Sequence, residues 1–256
     1  MTSPLERMRE VYRKRGAIEL FSRLVRQIRY QFSARIFGSR VWFRARAFAN
    51  SVRYETVPNP YKITYINPDS VQYFSARKNK SGKNIAHTRW KDIGRVADGD
   101  WDIRSISSEY AIKNSLLYES IENHFERGVP WEQTDYVATS REHLRQDCHQ
   151  NTWRATVRSE EDLWERCEQL EKLYERIETS GYKSKQEVFD SQSNDPMGYY
   201  PRTYKYTLDE VMIDRGRDGE PLLVDGKHRL FLAKVCGIEE IPVLVVVRHR
   251  EYVNSG

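Results

Sequence analysis

The densest grouping of chemically capable residues in this sequence is Asp225-Gly226-Lys227-His228-Arg229, a turn dipeptide followed at once by three basic or titratable side chains. Asp-Gly reverses a chain, and a helix opening there exposes first-turn backbone N–H groups that have no intrahelical partner. The helix dipole adds about half a positive charge at that end, so first turns favour acidic residues. Three basic ones oppose the dipole unless an anion lies between them, and phosphate is the anion that suits such a site. On this reading Gly226, Lys227 and Arg229 bind phosphate, while Asp225 or His228 orients it or takes a proton. The alternative is that the three side chains point into water. No G-x-x-x-x-G-K-[ST] occurs, and His228 stands where a Walker A loop needs Ser or Thr.

Asp98, Asp100 and Asp102 alternate within "GRVADGDWD". In an extended segment alternate residues share one face, and clustered carboxylates are what a hard cation such as Mg2+ requires. The following Gly and distal Glu of an EF-hand loop are missing, and Asp-Gly-Asp also occurs as an ordinary turn. Glu122 and His124 are candidates for acid or base work, or else surface residues of a helix. Met197, Tyr199 and Tyr200, in the loop-like "DSQSNDPMGYYPR", are placed either to stack on a base or to pack.

The elements that must position these groups follow from periodicity. Leu222 to Val224 form a short buried strand before the turn. Leu230, Phe231, Leu232, Ala233, Val235 and Cys236 then fill a helix that Gly237 can close, and Ile241-Pro242 leads into a strand from Val243 to Val247. A Pro-punctuated linker from Val57 to Tyr61 precedes a strand around Lys62 to Ile66, and Ala76 to Asn84 has the content of an exposed loop. Leu116, Leu117, Ser120, Ile121, His124 and Phe125 give one helical face ending before Gly128. Ser159 to Asp162 is a capping box, and Leu163, Cys167, Leu170, Tyr174 and Ile177 mark a helix that Gly181 closes.

The stretch "VDGKHRLFLAKVCGIEEIPVLV" resembles the C-terminal half of the ParB/sulfiredoxin-like core, through Asp225, Gly226, His228, Arg229, Ala233, Gly237, Ile241 and Pro242. "ESI" at Glu119 to Ile121 is similar to that core's first helix. The resemblance covers about a tenth of the chain. It implies an α/β (α+β) mixed-sheet core with a phosphate-binding turn that takes a nucleotide (ATP, ADP or CTP); joined to the Asp98, Asp100 and Asp102 cluster as a Mg2+ site, the expected function is a phosphotransferase or nucleotide hydrolase acting on a small molecule, whose acceptor the resemblance does not supply. Sulfiredoxin's cysteine position is held by Lys227, which excludes that redox chemistry, and about ten residues follow the last strand, too few for a partition protein's helix-turn-helix region. The rival function is a ParB-like nuclease or CTP-switched nucleic-acid binder. A further one is a non-catalytic, membrane-peripheral anion binder.

Net charge is +5, but residues 1–50 hold 12 Lys and Arg against three Glu, so the remainder is slightly acidic. Ile18, Phe21, Val25, Ile28, Phe32 and Ile36 recur at helical spacing with Arg23, Arg26, Arg29 and Arg35 between them. Such an arm suits an anionic membrane surface, nucleic acid, or its own fold. The expected organisation is therefore a basic helical arm over 1–53 and a domain over 54–256, interrupted by a helical insertion at about 140–200. Cys148, Cys167 and Cys236 are odd in number and lack metal spacing. With no secretory pattern or long apolar run, the expected location is cytoplasmic, with membrane-peripheral attachment as the alternative.

Overall fold

The computed structural model describes residues 40–54, 62–77, 92–146, 159–191 and 210–255, together with Val157 and the helical positions Arg13, Ala17, Phe21 and Val25. Cys148, the Met197–Tyr199–Tyr200 loop, most of the Ala76 to Asn84 loop and all but two positions of the expected arm face lie outside the described residues.

A mixed six-stranded sheet organises the protein. Its strands are β1 (Ile63–Ile66), β2 (Tyr73–Phe74), β3 (Arg95–Ala97), β4 (Val211–Arg215), β5 (Pro221–Asp225) and β6 (Ile241–His249). The order is β1-β6-β4-β5-β2, with β3 pairing β6 beyond the end of β1. All nine residues of β6 are buried, as expected for a strand covered on both faces and on both edges. Strand β4 runs parallel to β6 and antiparallel to β5. The carboxyl end of β5 therefore shares one end of the sheet with the amino ends of β4 and β6, and the β4–β5 hairpin lies at the other.

Helices α3 (Leu116–Arg127), α4 (Asp135–Arg145), α5 (Glu160–Ser180) and α7 (Lys227–Val235) contribute to one core with the sheet. Leu163, Cys167, Leu170, Leu173 and Ile177 of α5 belong to the same buried cluster as Ile213, Val243 and Phe231. Helix α5, within the stretch expected as an insertion, thus contributes to the main core. Ser159 Oγ accepts from the Asp162 N–H at 3.1 Å, and Ser120 Oγ accepts from the Tyr136 N–H at 3.1 Å. Leu116, expected on the inner face of α3, is 45% exposed instead, because the first helical residue overhangs the packed turn. Ile93, Trp101, Met212, Leu222, Leu244, Val246 and Val247 form a second core on the opposite face. It is covered in part by α2 (Trp101–Ser105).

Between the layers, Asp214 is fully buried and accepts from Ser75 Oγ at 2.6 Å, from the Val247 N–H at 3.1 Å and from Arg77 Nε. That carboxylate ties β4 to β6 and to the chain after β2. Helix α1 (Arg40–Arg53) docks through Asn50, whose Nδ2 donates to the Gly94 carbonyl at 2.8 Å. Its Val41, Phe48 and Val52 are 77%, 72% and 71% exposed, so the apolar stripe of this basic helix faces outward. A short α6 (Lys185–Asp190) follows α5, and α8 (Arg250–Ser255) follows β6.

Candidate functional site

The turn after β5 forms as its sequence dictates. Gly226 sits at φ 85° and ψ 24°, the left-handed region, and caps α7. A Cβ there would lie 2.9 Å from Val211 Cα, so both the dihedral and the closeness of β4 require glycine. Asp225 Oδ1 accepts from the Gly226 N–H at 2.8 Å, a local bond that sets the turn. Leu230, Phe231, Leu232 and Ala233 then bury the helix, with Phe231 edge-on to Phe74 and Tyr118 at 6.3 and 5.1 Å between ring centroids. At the far end Gly237 takes φ 62°, and the Ile238 N–H donates to the Ala233 carbonyl at 3.0 Å. Cys236, expected on the inner face, is half-buried.

The first turn of α7 carries no acidic residue and no side-chain cap. Lys227 is exposed and His228 half-buried, and both lie within electrostatic reach of Arg166, which α5 brings from the opposite side and buries to 6% exposure. Crowding by protein lowers the Lys227 ammonium, with Arg166 adding to that and Asp225 opposing it. Desolvation pushes His228 well below the usual imidazole range, and Lys227 and Arg166 push it further, so the ring is neutral at pH 7. Lys227, His228 and Arg166 thus act on one another electrostatically at a helix terminus with no side-chain cap, and Asp225 opposes them at Lys227.

Arg229 departs from expectation. It is 7% exposed, its Nη1 bonds Glu210 Oε2 at 2.9 Å, its Nη2 donates to the Lys183 carbonyl, and its guanidinium lies 4.6 Å from the centroid of the Tyr182 ring. Glu210 also accepts from the Lys185 N–H. Burial raises the Glu210 carboxyl, and Arg229 offsets that by pulling it down. Arg229, expected at a phosphate, instead joins the α5–α6 connection to α7, with Nη1, Nη2 and its guanidinium face engaged by Glu210, Lys183 and Tyr182.

Asp98, Asp100 and Asp102 do not make a cation site either. Asp98 pairs with Arg250 at 2.8 Å. Arg217 grips Asp102 with its Nε at 2.8 Å and Nη2 at 3.0 Å, and reaches Asp100 at 3.1 Å. Burial alone would raise Asp102, but the Arg217 hydrogen bonds win and hold it at about 2. Guanidinium groups of Arg217 and Arg250 pair with these carboxylates, and α2 turns Asp102 away from an extended, same-face arrangement. Among the described residues no group of three His, Cys, Asp or Glu side chains is arranged for a metal.

His124 likewise has a packing role. It stacks on Trp131 with centroids 4.2 Å apart, and its Nδ1 is 2.7 Å from the Val129 carbonyl. Glu122 pairs on the surface with Arg127. Burial pushes the Cys167 thiol up to about 12 and Cys236 to about 11, which leaves both unreactive.

Sequence reasoning missed Arg166, although a signal was present. Arg166 stands three residues after Leu163 and four before Leu170, on the buried stripe itself. A charge in that position needs a reason. Glu210 and Tyr182 carried no comparable sign, since each is distant in sequence from Arg229. Comparisons with protein-family models, curated proteins and solved structures give no match to this chain.

Proposed function

We propose that the Gly226 turn binds the phosphate groups of a nucleotide, in a mixed-sheet domain of the ParB/sulfiredoxin-like kind. The observation that carries this reading is the gathering of Lys227, His228 and Arg166 around an uncapped helix N-terminus whose first turn holds no acid. An anion there lowers the mutual repulsion of these groups and accepts from the first-turn amides. Arg229 is left out of the contact set because Glu210 holds it. A neutral His228 can donate one hydrogen bond or accept a proton, and Asp225 stands at the same turn. A phosphoryl transfer or hydrolysis step would use those two groups, with any magnesium arriving on the nucleotide.

The test is a thermal-shift panel of ATP, ADP and CTP, with and without magnesium, on wild type and Lys227→Ala, alongside phosphate release. A ligand at 100 times its dissociation constant adds about 2.7 kcal/mol. A selective shift that Lys227→Ala removes supports the turn; no shift with any of the three nucleotides overturns it. Phosphate release at 200 mM salt distinguishes a small-substrate enzyme from a DNA binder, whose affinity falls steeply over about 50–200 mM.

A second reading is favoured by one observation, the outward Val41, Phe48 and Val52 stripe on α1 beside exposed Arg44 and Arg53. These residues suit the headgroup region of an anionic membrane. Phe48→Glu should abolish sedimentation with anionic vesicles while leaving nucleotide shifts intact.

A further inference from the structure

The far end of the sheet holds a second concentration of positive charge. Arg215 closes β4 and Arg248 lies near the end of β6, and the two are partners in the parallel register. Paired residues of neighbouring strands point to the same face, so both guanidinium groups lie on one side of the sheet. Arg248 is 4% exposed, and its Nη1 is sealed from solvent with no hydrogen-bond partner. No carboxylate lies within ion-pair distance of it among the described residues. Arg215 is half-buried and open at one side, with its Nη1 donating to the Gly219 carbonyl at 2.7 Å.

An arginine cannot escape this situation by losing its proton in the normal pH range. Burial lowers Arg248 first, Arg215 lowers it further and Tyr252 opposes them, yet it reaches only about 10 and stays charged at pH 7. Burial likewise lowers Arg215, against Tyr252 and Glu220. Glu220 acts on Arg215 and also accepts from the Asp218 N–H at 3.2 Å. Arg217 beside them is occupied by Asp102 and Asp100. Two guanidinium groups carried by register-paired residues in a largely desolvated position repel, and that arrangement becomes favourable when an oxyanion bridges them.

The phenol-bearing residue of α8, Tyr252, covers this end of the sheet. It packs against the β4–β5 hairpin so closely that a Cβ on Gly219, whose φ is 84°, would stand 3.1 Å from its ring. Tyr252 is 36% exposed and lies within electrostatic reach of both arginines.

We infer that Arg215 and Arg248 form a receptor for a tetrahedral oxyanion, a phosphate or the phosphoryl group of a small molecule, with Tyr252 at its mouth. One planar carboxylate is saturated by one guanidinium fork, whereas a phosphoryl group offers three oxygens and enough charge for two. This site lies at the opposite end of the sheet from the Gly226 turn and does not depend on that turn binding anything.

The experiment titrates inorganic phosphate, then sulfate and acetate, at fixed ionic strength into wild type, Arg248→Met, Arg215→Met and the double variant Lys227→Met/His228→Gln, read by calorimetry and melting temperature. Phosphate should stabilise the Lys227/His228 variant, while Arg248→Met and Arg215→Met each weaken this binding roughly 30-fold or more. Without phosphate, Arg248→Met should melt higher than wild type, since it removes an unpaired buried charge. Arg215→Met, at the half-buried member, keeps the test decisive if Arg248→Met does not fold. Equal phosphate binding in wild type and both arginine variants overturns the inference, as does loss of all phosphate binding in the Lys227/His228 variant. Acetate acting as strongly as phosphate overturns the tetrahedral preference.

Discussion

The two ends of the sheet each bury an arginine, and the pair differs in one respect that decides what each is for. Arg229, at the Gly226 end, has a carboxylate, a carbonyl and an aromatic face around it. Arg248, at the hairpin end, has Arg215 for a neighbour and no acceptor for Nη1. Burial of a charge is costly unless paired, so the first arginine is a fixed part of the fold and the second awaits a partner. The lesson is that position in a motif is a poorer guide to ligand binding than whether a buried charge is already satisfied.

The sharpest way to break this comparison is to make the satisfied arginine resemble the other. Glu210→Ala leaves Arg229 buried and without its ion pair, which should destabilise the protein by about 3–5 kcal/mol in urea unfolding. An effect below about 1 kcal/mol would mean that Arg229 is not held as described and is free to serve a ligand. Gly226→Ala tests whether the turn's geometry is obligatory. The left-handed dihedral alone should cost about 1–3 kcal/mol, with the approach to Val211 Cα adding to it.

Titration sharpens the comparison further. The folded state holds His228 below its unfolded value of 6.5, so at lower pH the unfolded chain binds a proton that the folded chain refuses. Stability should therefore fall as pH drops through about 6.5, and His228→Gln should flatten that part of the profile. A phosphate at the turn reverses the sign locally by favouring the imidazolium. Nucleotide binding should then take up a proton near neutral pH, visible as a dependence of calorimetric heat on buffer ionisation enthalpy. The smallest effect is expected at Asp98→Asn. Its pair with Arg250 is half exposed on both sides, and such pairs contribute about 0–1 kcal/mol. A larger loss, or a magnesium-dependent change in melting temperature abolished by this substitution, would restore a cation to the Asp98–Asp102 segment.

Much of the local architecture was legible in the amino-acid order. The strand, glycine turn, helix and strand from Leu222 to Val247 appear at nearly the expected places, because apolar period and glycine conformation act over a few residues. The same holds for α3, ended by Gly128 at φ 70°, and for α5, opened by Ser159. Cys236 packs against the core though only half-buried, and Leu116 is exposed, because periodicity specifies a face and not how far the opposing layer extends over it. Sequence distance hides that Leu163 and Ile177 of α5 share a core with Ile213.

By itself the sequence determined that a basic turn at Asp225-Gly226 opens α7 between two apolar strands, whereas strand β4 and the approach of Val211 that makes Gly226 obligatory came with the tertiary structure. Only the tertiary structure decided which charges are free, because that depends on partners far along the chain: Glu210 and Tyr182 for Arg229, Arg217 for Asp102, and Arg215 beside Arg248. A charge's fate is set by what surrounds it after folding. Residue type and spacing fix where a group stands along its own element, while its neighbours across the sheet decide whether it holds the fold together or remains available for a ligand.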